Sequence, residues 1–186
     1  MKRRHMDISK YQKIVDIIEQ YAQAIRASLL YKDTENIINI KDAIKEFGGE
    51  LQYTKDTRGY ADIKKGKKFN FKIEIDEYIK DTDKEKFAIA HELGHLFMHM
   101  GFVFDKEKWK EFSPEQTYSI GFGEYTFLEA ESDTFALALF MPRKRFMQVA
   151  LKCSNGDGYS ISEIADEFNV NRQWVVDRGR DLGLWD

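Results

Sequence analysis

A single cysteine, Cys153, occurs in 186 residues. No intrachain disulfide can form, which excludes a disulfide-stapled scaffold and favours a reducing compartment, so a cytoplasmic protein is expected. A cysteine-rich zinc site is excluded on the same ground. No run of about 18 apolar residues is present, so no membrane-spanning helix is expected. The N-terminus shows no apolar stretch followed by a small-residue cleavage site, and no secretory signal is expected. Internal repeats and low-complexity tracts are absent as well. Charge of one sign is not in excess: 29 Lys and Arg against 32 Asp and Glu leave a net charge of -3. That balance gives no general pull toward nucleic acid or anionic lipid.

What is present is ordinary globular composition with many rings. Aromatic residues make up 14%, with 14 Phe and 9 Tyr, which implies a core built from rings or a cleft lined by them. Residues 7–31 carry Ile14, Ile17, Ile18, Tyr21, Ile25 and Leu29 at helical spacing. A second helix is expected over 38–47, stopped by Gly48-Gly49. The period then changes. Residues 51–53, 59–63 and 69–75 read as strands, clearest where Phe69, Phe71, Ile73 and Ile75 alternate with polar residues. Lys64 to Lys68 reads as a hairpin turn. A long helix follows over 83–100, capped by Thr82 or Asp83 and ended by Gly101. Residues 102–124 read as an irregular aromatic loop. Helices are expected again over 126–140, 143–151, 161–168 and 171–181.

The long helix carries His91-Glu92-Leu93-Gly94-His95. A four-residue spacing stacks two imidazoles on one helical face, where both can reach one small ion. Glu92 projects about 100° round from His91, beside such an ion rather than on it, which suits a general base acting on a water. Zinc in a catalytic site wants a third protein ligand and one open position. No histidine follows His99, and His99 itself lies about 12 Å along the axis from His91 in an unbroken helix, too far to share the ion. It is left as a cleft-wall residue, a hydrogen-bond partner of a ligand, or a core histidine.

The third ligand is therefore sought among Glu124, Glu129, Glu131 and Asp133. Leu128, Ser132, Phe135, Ala136, Leu139 and Phe140 mark the inward side of the 126–140 helix. Glu129 lines up with Ser132, Asp133, Ala136 and Phe140 at steps of three and four, and Glu131 points nearly opposite. Helical phase thus favours Glu129 as the ligand, with Asp133 one turn on placed to hydrogen-bond a liganding imidazole. Two imidazoles and a carboxylate suit zinc, with manganese, iron or cobalt as alternatives. An oxyanion donor is open among Tyr118, Tyr125 and His99.

Two segments, Ala90 to His99 and Glu129 to Pro142, together resemble the ImmA/IrrE family of metallopeptidases, which cleave repressor proteins. The resemblance spans about residues 35–180. Ser132 stands where the family more usually has alanine, and the 101–128 loop is long. It implies an α+β fold: a mostly helical, zincin-like domain with a small antiparallel or mixed sheet and a C-terminal helix pair. It also implies Glu129 as a metal ligand beside His91 and His95, and a repressor or antitoxin-like protein as the substrate.

Residues 160–184 read as a helix-turn-helix, with Asn169-Val170 at the turn and Arg172, Arg178 and Arg180 available to phosphates. Five acidic residues surround them, so direct nucleic-acid binding is not expected. The chain is read as an N-terminal helix (1–34), a metallopeptidase core (35–155) and a C-terminal helix pair (156–186). The expected activity is metal-dependent endoproteolysis, with Glu92 as catalytic base and His91, His95 and Glu129 on the metal. The alternatives are a metal-sensing or protein-binding module without turnover, and a DNA-binding regulator acting through residues 160–184. Oligomeric state is left open.

Overall fold

The computed structural model describes residues 8–29, 39–57, 59–68, 70–118, 127–156 and 158–185. Phe69, Glu124 and Tyr125 lie outside them. The described chain is mostly helical, with one small mixed sheet and helices at its C-terminal end, so it is an α+β fold. None of the described helices is long and apolar enough to cross a membrane.

Helix α1 (Ile8–Leu29) leads to α2 (Ile40–Glu46), which Asn39 caps by accepting from the Lys41 N–H. Strands β1 (Glu50–Thr54), β2 (Ala61–Lys65) and β3 (Phe71–Asp76) follow. Their order in the sheet is β1-β3-β2. β2 and β3 form an antiparallel hairpin with Ile63 opposite Ile73, and β1 runs parallel to β3 with Leu51 opposite Ile73. The alternation in β3 decides which face is buried: Phe71, Ile73 and Ile75 are inaccessible, while Lys72 and Glu74 face outward. On that outer face Lys64 and Lys72 both pair with Glu74, at 2.5 and 2.8 Å.

The buried face packs on α3 (Asp83–Gly94), whose Ile89, Ala90 and Leu93 are inaccessible. Thr82 caps α3 by accepting from the Glu85 N–H. Glu85 is itself buried, and its carboxylate accepts from Tyr53 Oη at 2.5 Å, Lys41 Nζ at 3.0 Å and the Asp81 N–H at 2.8 Å. A buried carboxylate with three donors is satisfied, and here it ties α2, β1 and the start of α3 together.

The expected helix over 83–100 is not a uniform α-helix. At Gly94 it gives way to a π-helical turn, His95–His99, closed by Met100 N–H to His95 O at 2.8 Å. Gly101 then reverses the chain at φ +78, where an added Cβ would lie 2.8 Å from Asp105 O. The loop read as irregular contains a short helix, α4 (Lys106–Glu111), capped by Asp105. Its Lys-Glu-Lys-Trp-Lys-Glu sequence has no apolar period to betray it.

Helix α5 (Phe127–Phe140) lies against both α1 and α3 and sends Phe135, Ala136 and Leu139 into the same core. Ile17, expected in the apolar stripe of α1, is exposed; Val15, Ile18, Ala22 and Ile25 are the buried face. Leu128 is likewise exposed.

A second cluster joins Leu137 and Met141 to α6 (Arg143–Lys152), α7 (Ile161–Phe168) and α8 (Arg172–Asp181). Asn169, at φ 51, makes the left-handed turn between the last two helices. Trp174 rests between Phe87 and Phe140, with ring centroids 5.1 and 5.4 Å away. Arg178, expected to be available to phosphate, is inaccessible: it donates to Met141 O at 2.9 Å and pairs with buried Glu19 of α1. Its neighbours made it look like one of three surface arginines; burial of Val175 one turn earlier turns that face inward.

Removing one member of a buried ion pair strands the other. Arg178→Ala is therefore expected to destabilise the protein by about 3–5 kcal/mol. Urea denaturation followed by circular dichroism checks this; a loss below about 1 kcal/mol, the range of exposed pairs, would show that the pair does not secure α8.

Candidate metal centre

The site forms beside a close contact between α3 and α5. An added Cβ on Gly94 would lie 3.1 Å from Ser132 Cα and 3.2 Å from Ser132 Cβ. Two small residues thus let the helices approach, and the acidic residues around Ser132 reach the histidines of α3 and the π turn. The Ser132 hydroxyl is buried without a hydrogen-bond partner. The position therefore uses serine for its size, as alanine would serve.

Three side chains converge. His91 Nε2 and His95 Nε2 lie 3.0 Å apart, and the Glu129 carboxylate reaches them at 3.2 and 3.5 Å. Among the described residues these three form a group able to hold a metal ion, with ligand atoms all within 4.8 Å of one another. Asp133 Oδ1 lies 2.8 Å from His91 Nδ1, as its place one turn beyond Glu129 leads one to expect. A carboxylate there accepts from Nδ1–H and so turns Nε2 toward His95 and Glu129.

Glu131 departs from its expected position. It does not point away from the site: its Oε2 lies 3.0 Å from His99 Nε2. Glu131 and Asp133 flank Ser132 on either side, so a helix seated on Ser132 can deliver both. His99 is buried, and its Nδ1 lies 2.9 Å from His95 Nδ1. An α-helix advances about 40° per four residues, which would carry His99 progressively off the His91–His95 row. The wider π turn takes up that drift. Tyr118 covers the pair, its ring 4.8 Å from His95 and 6.1 Å from His99.

Glu92 is buried beside these groups and accepts a backbone hydrogen bond from Ile63 of β2. Burial pushes its pKa up to about 7; His91 opposes this, and the nearby Asp62 and Glu129 carboxylates add to it. His95 is held down at about 4, by burial first and by the adjoining His91 and His99 rings, against the pull of Glu129. His91 goes the other way. Burial disfavours its charged form, but its hydrogen bonds to Asp133 and Glu129 prevail and raise its pKa to about 10. Those to His91 and His95 hold Glu129 well below the usual carboxylate range. Tyr118 is pushed up to about 12 by burial and by Glu129, Glu131 and Glu92.

The outer edge of β2 is not open to another strand. The chain's own segment lies there. Thr117 bridges Lys64, the Tyr118 N–H donates to Ile63 O at 2.8 Å, and the Glu115 N–H donates to Lys65 O at 2.8 Å.

Two imidazole nitrogens and a carboxylate, with a buried glutamate alongside, form a donor set of the class that binds a divalent metal in an enzyme. Residues 51–178 match the peptidase family described as the IrrE N-terminal-like domain. The match takes in most of the chain, which therefore belongs to that family. No curated protein matches it.

The proton on His91 sets a pH dependence. With its pKa raised to about 10, the metal-free site carries that proton at pH 8, and an ion must displace it. Metal affinity should fall as pH drops, with about one proton released per ion bound at pH 8. Calorimetric zinc titrations in two buffers of different protonation enthalpy measure this, and a stoichiometry of zero protons would contradict it.

Proposed function

We propose that this protein is a zinc-dependent endopeptidase acting on a protein substrate, most simply a helix-turn-helix repressor or antitoxin-like partner in the cytoplasm. The observation that carries the reading is the convergence of His91, His95 and Glu129 within 4.8 Å of one another beside the buried Glu92. The donor chemistry fits the ion: Asp133 accepts from His91 Nδ1, so His91 Nε2, His95 Nε2 and an anionic Glu129 oxygen face one another, and the one proton held among them is what an ion would displace. The substrate class rests on the family and the reducing compartment on the lone, buried Cys153.

His91, His95 and Glu129 would hold the ion, which when bound supplies Lewis-acid polarisation of the scissile carbonyl and makes a water more acidic. Glu92 then takes the proton of the attacking water and passes it to the leaving amine. A pKa near neutrality suits a group that must both accept and return a proton. The Ile63 N–H fixes the orientation of its carboxylate. Of the oxyanion donors considered, both ring nitrogens of His99 are already engaged. Tyr118, kept protonated by its raised pKa, is the described residue assigned that role. A substrate strand can pair with β2 at Ile63 and Lys65 only by displacing residues 115–118.

The test is cleavage of repressors encoded beside this protein, incubated with the zinc-loaded chain and read as new termini by mass spectrometry. The expected result is a single cut, abolished by chelation and restored by zinc. Glu92→Gln should still bind zinc but cleave more slowly by about 10²-fold or more. Equal cleavage by Glu92→Gln would contradict the assignment of the base. Absence of cleavage by zinc-loaded protein across those repressors would contradict the proposed substrate class.

A further inference from the structure

His99 and Glu131 lie outside the three-ligand set, yet their polar atoms are directed into the site. The distances form an unbroken line: Glu131 Oε2 to His99 Nε2 is 3.0 Å, and His99 Nδ1 to His95 Nδ1 is 2.9 Å. An ionised carboxylate only accepts, and a neutral imidazole carries one proton on one of its two nitrogens. His99 must then donate from Nε2 to Glu131, which leaves its Nδ1 as an acceptor. His95 must donate to that acceptor from its own Nδ1. The consequence falls at the far side of the His95 ring, where Nε2 is left as a lone pair aimed at His91 Nε2 and Glu129.

We infer that Glu131 and His99 are positioning residues, a two-step hydrogen-bond relay that fixes His95 in the one tautomer able to bind a metal through Nε2. Asp133 orients His91 in one step, at 2.8 Å, so that Nε2 is the nitrogen facing the site. The relay explains three features that the ligand set alone leaves idle. The π turn keeps His99 over His95; an α-helical turn would let it drift off the row. The Tyr118 ring, stacked on His99 at an interplanar angle of 21°, holds the plane of the intermediate ring. Glu131 is turned toward His99 of the π turn although its place in α5 is nearly opposite Glu129. Without the relay His95 is free to carry its proton on Nε2, where it blocks the site.

The inference rests on the metal reading above, but its primary test does not need the metal. Full-length protein labelled with ¹⁵N-histidine gives the His95 tautomer directly from long-range imidazole correlations in the metal-free state. The expected result is Nδ1–H in the wild type, and a mixture of tautomers in Glu131→Leu and in His99→Phe. Circular dichroism on each variant reports whether the fold is retained, and Glu131→Asp, which keeps an acceptor, serves as the conservative variant expected to restore Nδ1–H. Nε2–H in the wild type, or an unchanged tautomer in both folded variants, would overturn the relay. Chelator-competition titrations with zinc add a second readout. Both variants should weaken binding about 10- to 100-fold, and the double variant no further than His99→Phe alone, because the two bonds act in series. Full additivity of the two losses would overturn the serial arrangement. Failure of the wild type to bind zinc at all would overturn the metal reading, while the tautomer measurement would still decide the relay.

Discussion

The close approach of α3 and α5 at Gly94 and Ser132 is the constraint on which the rest of the site depends. Even a methyl group at Gly94 would lie 3.1 Å from Ser132 Cα, so a larger side chain there would press the helices apart. The acidic residues of α5 reach the histidines only because the helices meet there. Glu129, Glu131 and Asp133 each come within 3.5 Å of a histidine ring nitrogen. The apolar residues beside this contact, Leu93, Phe97, Phe135, Ala136 and Leu139, are almost entirely buried. Hydrophobic burial thus supplies the force that holds the helices together, and the small pair at their crossing sets the distance.

That packing concentrates charge in a way that does not favour the metal-free fold. Glu92 is buried with Asp62 and Glu129 nearby, and His91 retains its proton to about pH 10 to offset them. Like charges held together in a region of low dielectric raise one another's energy. Perturbed groups of this kind cluster at sites built for chemistry rather than stability. A divalent cation held by His91, His95 and Glu129 would relieve the conflict, displacing the His91 proton, offsetting the charge of Glu129 and favouring the ionised form of Glu92. Elsewhere buried charges are paired with their opposites, Arg178 with Glu19 between α8 and α1 and Glu85 with Lys41 between α3 and α2.

Much of this was legible in the chain because it depends on short-range period. The four-residue spacing puts His91 and His95 on one face, and the three- and four-residue steps put Glu129 in line with Ser132 and Asp133. The apolar alternation of β3 announces which face is buried. What was not legible depends on longer-range geometry. A π turn differs from an α turn by one residue in the span of its hydrogen bond and leaves no mark in apolar spacing, so the position of His99 over His95 could not be read. Glu131 was misjudged because helical phase gives the direction of a Cα–Cβ bond, not where a long side chain ends once another helix lies close. Arg178 looked like a surface cation among acidic neighbours, and only the path of α1 brings Glu19 to it. The parallel pairing of β1 with β3, and the lodging of residues 115–118 against β2, join segments that no local pattern relates.

The measurement that tests the central claim most directly is anomalous diffraction from crystals of the full chain grown with zinc. The account predicts one strong peak per chain, within bonding distance of His91 Nε2, His95 Nε2 and a Glu129 oxygen. His99 should remain hydrogen-bonded to Glu131 and outside the coordination sphere. A peak ligated by His99 or Glu131, or no peak at these three residues in crystals shown to contain zinc, would contradict it.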